Sequence, residues 1–94
     1  MNDFEQRMVT LKARFIERAA ADRGALADAW AARDDEAIRR ISHSLAGNAG
    51  MFGFPKLGAA ARELEEALEK PAAEERLRMK LDAVMSEIPV RAGS

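Results

Sequence analysis

The chain contains one histidine, His43. Near neutral pH an imidazole carries one unprotonated ring nitrogen, which can attack phosphorus. The other ring nitrogen can donate a hydrogen bond and so fix the tautomer. There is no cysteine, so disulfides and thiolate metal sites are excluded. A metal site in a helical-bundle core needs several inward ligands, usually Glu-x-x-His pairs. The residue three before His43 is Arg40, which does not fit. No nucleophile elbow is present and no second histidine supports a hydrolytic triad. The chemistry left for His43 is that of a free-standing nucleophile, against the plainer alternative of an incidental surface residue.

Position supports the first reading. A helix turns by about 100° per residue. Ile38, Ile41, Leu45, Ala49 and Phe52 then cluster within about 80° on a wheel. His43 lies about 150° from the centre of that cluster and points outward. Around it the same face holds Arg39, Arg40, Ala46, Gly47 and Gly50. Glycine inside a helix is destabilising by about 1 kcal/mol relative to alanine. Two glycines here remove bulk, so another protein could come close to the imidazole. Gly50 and Gly53 also suit a helix that is ending; Gly47, one turn after His43, does not. A phosphoryl group on such a nitrogen would be held by a labile P–N bond and could be passed on.

The elements that must position His43 are helical throughout. Ala, Leu, Glu and Arg dominate, all good helix formers, and no alternating strand pattern occurs. A first helix over 3–32 follows an Asn2 or Asp3 cap. Its apolar stripe is Phe4, Met8, Leu11, Phe15 and Ala19, resumed at Leu26, Ala29 and Trp30, with Gly24 between. Arg33–Asp35 forms a turn in which either aspartate can cap the second helix, over 35–52. Pro55 suits the first turn of a third helix over 55–69, with Leu57, Ala61, Leu64 and Leu68 as its stripe. Pro71 separates it from a fourth, over 72–88, carrying Leu77, Leu81, Val84, Met85 and Ile88. Residues 90–94 read as a disordered tail. Met8, Met79 and Met85 read as core gap fillers. Met51 is outward and, with Phe54, offers an apolar docking patch. The fold class is all-α, a single domain built as an antiparallel up-down-up-down four-helix bundle.

Bulk properties agree. The 94 residues suffice for one core, with 48% hydrophobic and 33% charged residues and a formal net charge of -1. These values suit a soluble globular protein. No basic run favours nucleic acid, no segment suits a membrane span, and the N-terminus lacks a signal-peptide layout. The expected location is cytoplasmic and the expected state a monomer. The start at Met1 favours a stand-alone protein over an excised piece.

The run Ile41-Ser-His43-Ser-Leu45-Ala46-Gly47-Asn-Ala49-Gly50-Met-Phe52-Gly53-Phe-Pro-Lys-Leu57, followed by Leu64-Glu65, resembles the signature of histidine-containing phosphotransfer (HPt) domains. The Phe52-Gly53-Phe54 segment is also similar to the phosphoacceptor domain of chemotaxis-type histidine kinases. The resemblance implies that His43 is the phosphoacceptor, through its outer ring nitrogen, and that Gly47 leaves room for the partner. It implies response-regulator receiver domains and a sensor histidine kinase as partners. It implies no kinase activity and no cofactor in this chain, with Mg2+ on the receiver. Family members commonly carry a lysine three residues after the histidine. Here that residue is Ala46, and Arg39, Arg40 or Arg62 stands as the replacement cation. The competing reading is a helical-bundle adaptor in which His43 does nothing.

Overall fold

The computed structural model describes residues 2–89. Four α-helices and one 3-10 turn make up the fold, with no strand among the described residues. Helix α1 spans Asp3–Ala31, α2 Asp35–Asn48, α3 Pro55–Leu68 and α4 Glu74–Glu87, with the 3-10 turn at Gly50–Phe52 between α2 and α3.

Each start has a local cause. The Asn2 side chain accepts a hydrogen bond from the Glu5 amide at 2.8 Å and caps α1. Asp34, rather than Asp35, caps α2 by accepting from the Ala37 amide at 3.0 Å. These side chains satisfy amides that have no partner inside the helix. Pro55 opens α3, where its missing N–H is no loss. Helix α1 runs unbroken through Gly24.

The second helix ends earlier than the 35–52 read from the sequence. It stops at Asn48, and Gly53 adopts φ 90°. The Gly53 amide donates to the Gly50 carbonyl at 3.2 Å, and the Phe54 amide to the Ala49 carbonyl at 2.9 Å. Two glycines favour this tight reversal, and Pro55 keeps Phe54 out of helical conformation. The fourth helix likewise begins at Glu74, because Ala73 after Pro71 is extended. The tail expected at 90–94 lies outside the described residues.

The core is formed by Phe15, Ala19, Leu26 and Ala29 of α1, Ile38 and Leu45 of α2 with Ala49, Leu57, Ala61 and Leu64 of α3, and Leu81 and Val84 of α4, closed by Ile88. Helix α3 packs against both α2 and α4, and α2 also against α1. Gly58 of α3 is buried, and a Cβ there would lie 3.6 Å from the Ala49 Cβ and from the Gly50 amide nitrogen. The small residue lets α3 approach α2 closely. Arg33 pairs with Glu74 at 2.8 Å, and the Arg23 guanidinium donates to the Met85 carbonyl at 2.5 Å, tying α1 to α4.

Two expectations about the core fail. Phe4 and Leu11 are exposed, because α1 has 29 residues and its partners 14 each, so its first three turns outrun them. Met79 is exposed rather than a gap filler, since the buried face of α4 is carried by Leu81 and Val84. No described helix is long and apolar enough to cross a membrane.

Candidate functional site

His43 stands in the middle of α2 with its side chain 75% exposed. The residue before it faces the other way. Ser42 is fully buried and its hydroxyl donates to the Ile38 carbonyl at 2.7 Å. The outward direction of His43 is thus set by the helix that buries Ile38, Ser42 and Leu45.

The imidazole is held from one side. His43 Nδ1 lies 2.6 Å from Glu65 Oε2, and the Glu65 side chain is only 17% exposed. An ionised carboxylate only accepts, so Nδ1 carries the proton in this bond. The neutral ring then has its lone pair on Nε2, the nitrogen turned away from Glu65. A single contact therefore sets both tautomer and ring direction. The sequence singled out Arg62 of α3 as a candidate cation but gave Glu65 no role. The available signal was the acidic residue just after Leu64, one position round the wheel from the buried stripe.

The three arginines differ. Arg39 is engaged with Glu36 through two hydrogen bonds, from Nε at 3.2 Å and from Nη2 at 2.5 Å. That bond, with the charge of Glu36 and more weakly those of Glu65 and Glu69, raises the guanidinium above its usual range. Arg40 and Arg62 are exposed. Arg40 sits one turn before His43 on α2, and Arg62 one turn before Glu65 on α3. Of the two, Arg62 borders a groove of about 540 Å3 that continues from the His43 face.

That groove runs between α2 and α3. Ala46, Gly50, Pro55, Gly58 and Ala59 line it with small side chains, and Arg62, Glu63 and Glu66 add charge along it. Gly47 is exposed, and a Cβ there would meet nothing within 4 Å; the same holds for Gly50. Neither glycine is required by internal packing. Met51 is exposed. Phe54, expected beside it on the surface, is half-buried and stacks on Phe15 with centroids 5.8 Å apart. The aromatic ring is drawn inward because Phe15 and Phe52, 5.2 Å apart, close that end of the core. Among the described residues no cluster of three His, Cys, Asp or Glu side chains could hold a metal ion.

The arrangement offers an imidazole oriented from one side at an open surface, beside a small-residue groove and two cations that make no ion pair among the described residues. Comparison with known proteins agrees with this chemistry. The family model for the Hpt domain matches residues 10–88. No curated protein matches the chain, and no solved structure matches it. Hpt domains are histidine phosphotransfer modules of phosphorelays, without kinase activity of their own, and interact with receiver domains and kinases. The matched stretch spans most of the chain and includes His43, Glu65 and every groove residue, and the chain belongs to the Hpt domain family.

Proposed function

We propose that Nε2 of His43 takes a phosphoryl group from an aspartyl phosphate on a receiver domain and passes it to the aspartate of another. The observation that carries this reading is the His43–Glu65 contact, which puts the lone pair of the neutral ring on Nε2, on the side away from Glu65. The Nε2 lone pair attacks phosphorus, the acyl-phosphate P–O bond breaks, and the receiver keeps its carboxylate. The ring becomes cationic with the proton still on Nδ1. Glu65 lies 2.6 Å from that proton's nitrogen and stabilises the charge as it develops. Onward transfer is the reverse: a receiver carboxylate attacks phosphorus and the P–N bond breaks.

The residues around His43 divide the remaining work. Gly47 and Gly50 keep the approach clear, Ala46 and Gly50 line the groove beside it, and Met51 offers an apolar contact. Arg40 and Arg62 face the arriving dianion, while Arg39 is held back by Glu36. Mg2+ belongs to the receiver. The helices run in antiparallel up-down-up-down order, a reading supported by the Arg33–Glu74 and Arg23–Met85 contacts, which pair α1 and α4 in opposite directions. The relay operates in the cytoplasm, between a sensor histidine kinase and its regulators.

The test is transfer from 32P-labelled receiver domains to the purified chain. Wild type should gain acid-labile, base-stable label. His43→Gln should fold with an unchanged circular dichroism spectrum and gain none. Equal labelling of the variant would reject the assignment, and a function in cells unaffected by His43→Gln would favour an adaptor.

A further inference from the structure

The first three turns of α1 meet the rest of the fold at their base, where Leu11 and Arg14 flank Phe52 and Lys12 lies over Phe54, and extend beyond it. Buried residues of α1 begin at Phe15. Asp3–Thr10 therefore projects about 12 Å past that contact at 1.5 Å per residue. The molecule's extents of 49 × 23 × 19 Å reflect this. Yet the projecting arm continues the core stripe. Phe4, Met8, Leu11 and Phe15 follow spacings of four, three and four, the seam of a two-stranded coiled coil. Phe4 is 71% and Leu11 44% exposed. Three turns of isolated helix are marginal in water, so an arm of this kind gains from a second surface.

We infer that this surface is the arm of a second copy of the chain, laid antiparallel. Three features select that occupant. The first is length. Two copies of one arm laid antiparallel match over the same stretch, so the contact is self-complementary and closes as a two-fold dimer. The second is what lies at each end. In the register that sets Met8 against Leu11 of the second copy, Phe4 reaches the second copy's Phe15. There the stacked Phe15, Phe52 and Phe54 rings close the core, and Phe52 and Phe54 are still half-exposed. The third is charge. The tip carries Asp3 and Glu5, and the base Lys12 and Arg14. Antiparallel pairing brings Glu5 against Lys12 of the second copy, whereas parallel pairing sets acidic tip against acidic tip. The Lys12 ammonium is already stationed over Phe54, 5.6 Å from its centroid, where the tip arrives. The same register sets Arg7 near Arg14 of the second copy, which opposes association. With so short a seam, the dimer is weak and concentration-dependent. The monomer expected from the sequence is then the dilute state.

Sedimentation equilibrium on the full chain, from about 10 μM to 1 mM, tests this concentration-dependent association. Wild type should shift from monomer to dimer over that range. Phe4→Glu and Leu11→Glu should remain monomeric with unchanged circular dichroism, since both side chains are outside the core. Glu5→Lys or Lys12→Glu alone should weaken the dimer about tenfold, a change of about 1.4 kcal/mol, and the double exchange should restore it. His43→Gln should dimerise like wild type, which separates this inference from the phosphotransfer assignment. A chain that stays monomeric throughout, or a dimer indifferent to Phe4→Glu, overturns the proposal. A double exchange no better than either single one overturns the antiparallel register.

Discussion

His43 and Glu65 are 22 residues apart and meet at 2.6 Å across α2 and α3. The carboxylate is mostly covered and the imidazole mostly open, so Glu65 is the fixed member that orients the ring. Glu65→Ala should leave the tautomer unbiased and remove the negative charge opposite the developing cation. The transfer rate should fall by about 10- to 100-fold. Glu65→Gln still offers an acceptor to Nδ1 without the charge and should fall between. Rapid-quench transfer kinetics give the rates, and 15N NMR of the imidazole reports the tautomer. Wild-type kinetics in Glu65→Ala would show that the contact plays no part.

The glycines separate stability from access. A Cβ at Gly24 or Gly47 would meet nothing within 4 Å, and both lie inside helices. Either change to alanine should stabilise the fold by about 0.5–1 kcal/mol in urea unfolding. A bulky side chain should distinguish them. Gly47→Gln should slow transfer from a receiver at least tenfold, while Gly24→Gln, on a different helix, should not. Equal transfer by the two variants would mean that the space over Gly47 is not where the partner approaches.

The arginines can be ranked by their existing bonds. Arg39 spends its guanidinium on Glu36, whereas Arg40 and Arg62 make no ion pair among the described residues. Arg62→Ala and Arg40→Ala should each slow phosphotransfer several-fold and shorten the life of the phosphorylated chain. Arg39→Ala should do less. All three are surface changes, with stability expected to move by no more than about 0.5 kcal/mol. A ranking led by Arg39 in the transfer assay would contradict this order.

Met51 is exposed beside the groove. Met51→Lys should weaken receiver binding, read by calorimetry, without lowering the melting temperature. An unchanged affinity would remove Met51 from the docking surface.

Asp22 predicts a pH dependence of stability. It is half-buried on α1, and burial raises its carboxyl pKa above 3.8, with Arg18 working in the opposite direction. The folded chain therefore holds this proton more tightly than the unfolded one. Its contribution to stability is present below pH 3.8 and is lost as the pH rises through the raised folded value. Asp22→Asn should melt higher than wild type at pH 7, with the gap closing on acidification. A gap that widened in acid would reverse the sign assigned to Asp22.

What the sequence alone determined was local. The lone imidazole, its outward direction on a helix that buries Ile38 and Leu45, and the bulk-free positions at Gly47 and Gly50 all follow from periodicity within a single helix. Caps at Asn2 or Asp3 and at Asp34 or Asp35 act over one turn and are legible in the sequence too; the structure selects Asn2 and Asp34. The tertiary structure decided what depends on two helices meeting. The turn at Gly53, with the close approach at Gly58, sets the register of α3 on α2. That register brings Glu65 to Nδ1 and Arg62 to the groove. Periodicity could not supply it, because it says which face a residue occupies and nothing of what stands opposite. Nor could it say where a stripe loses its cover: Phe4 and Phe15 share one pattern, but only Phe15 has helices beside it, since α1 is about twice as long as its neighbours.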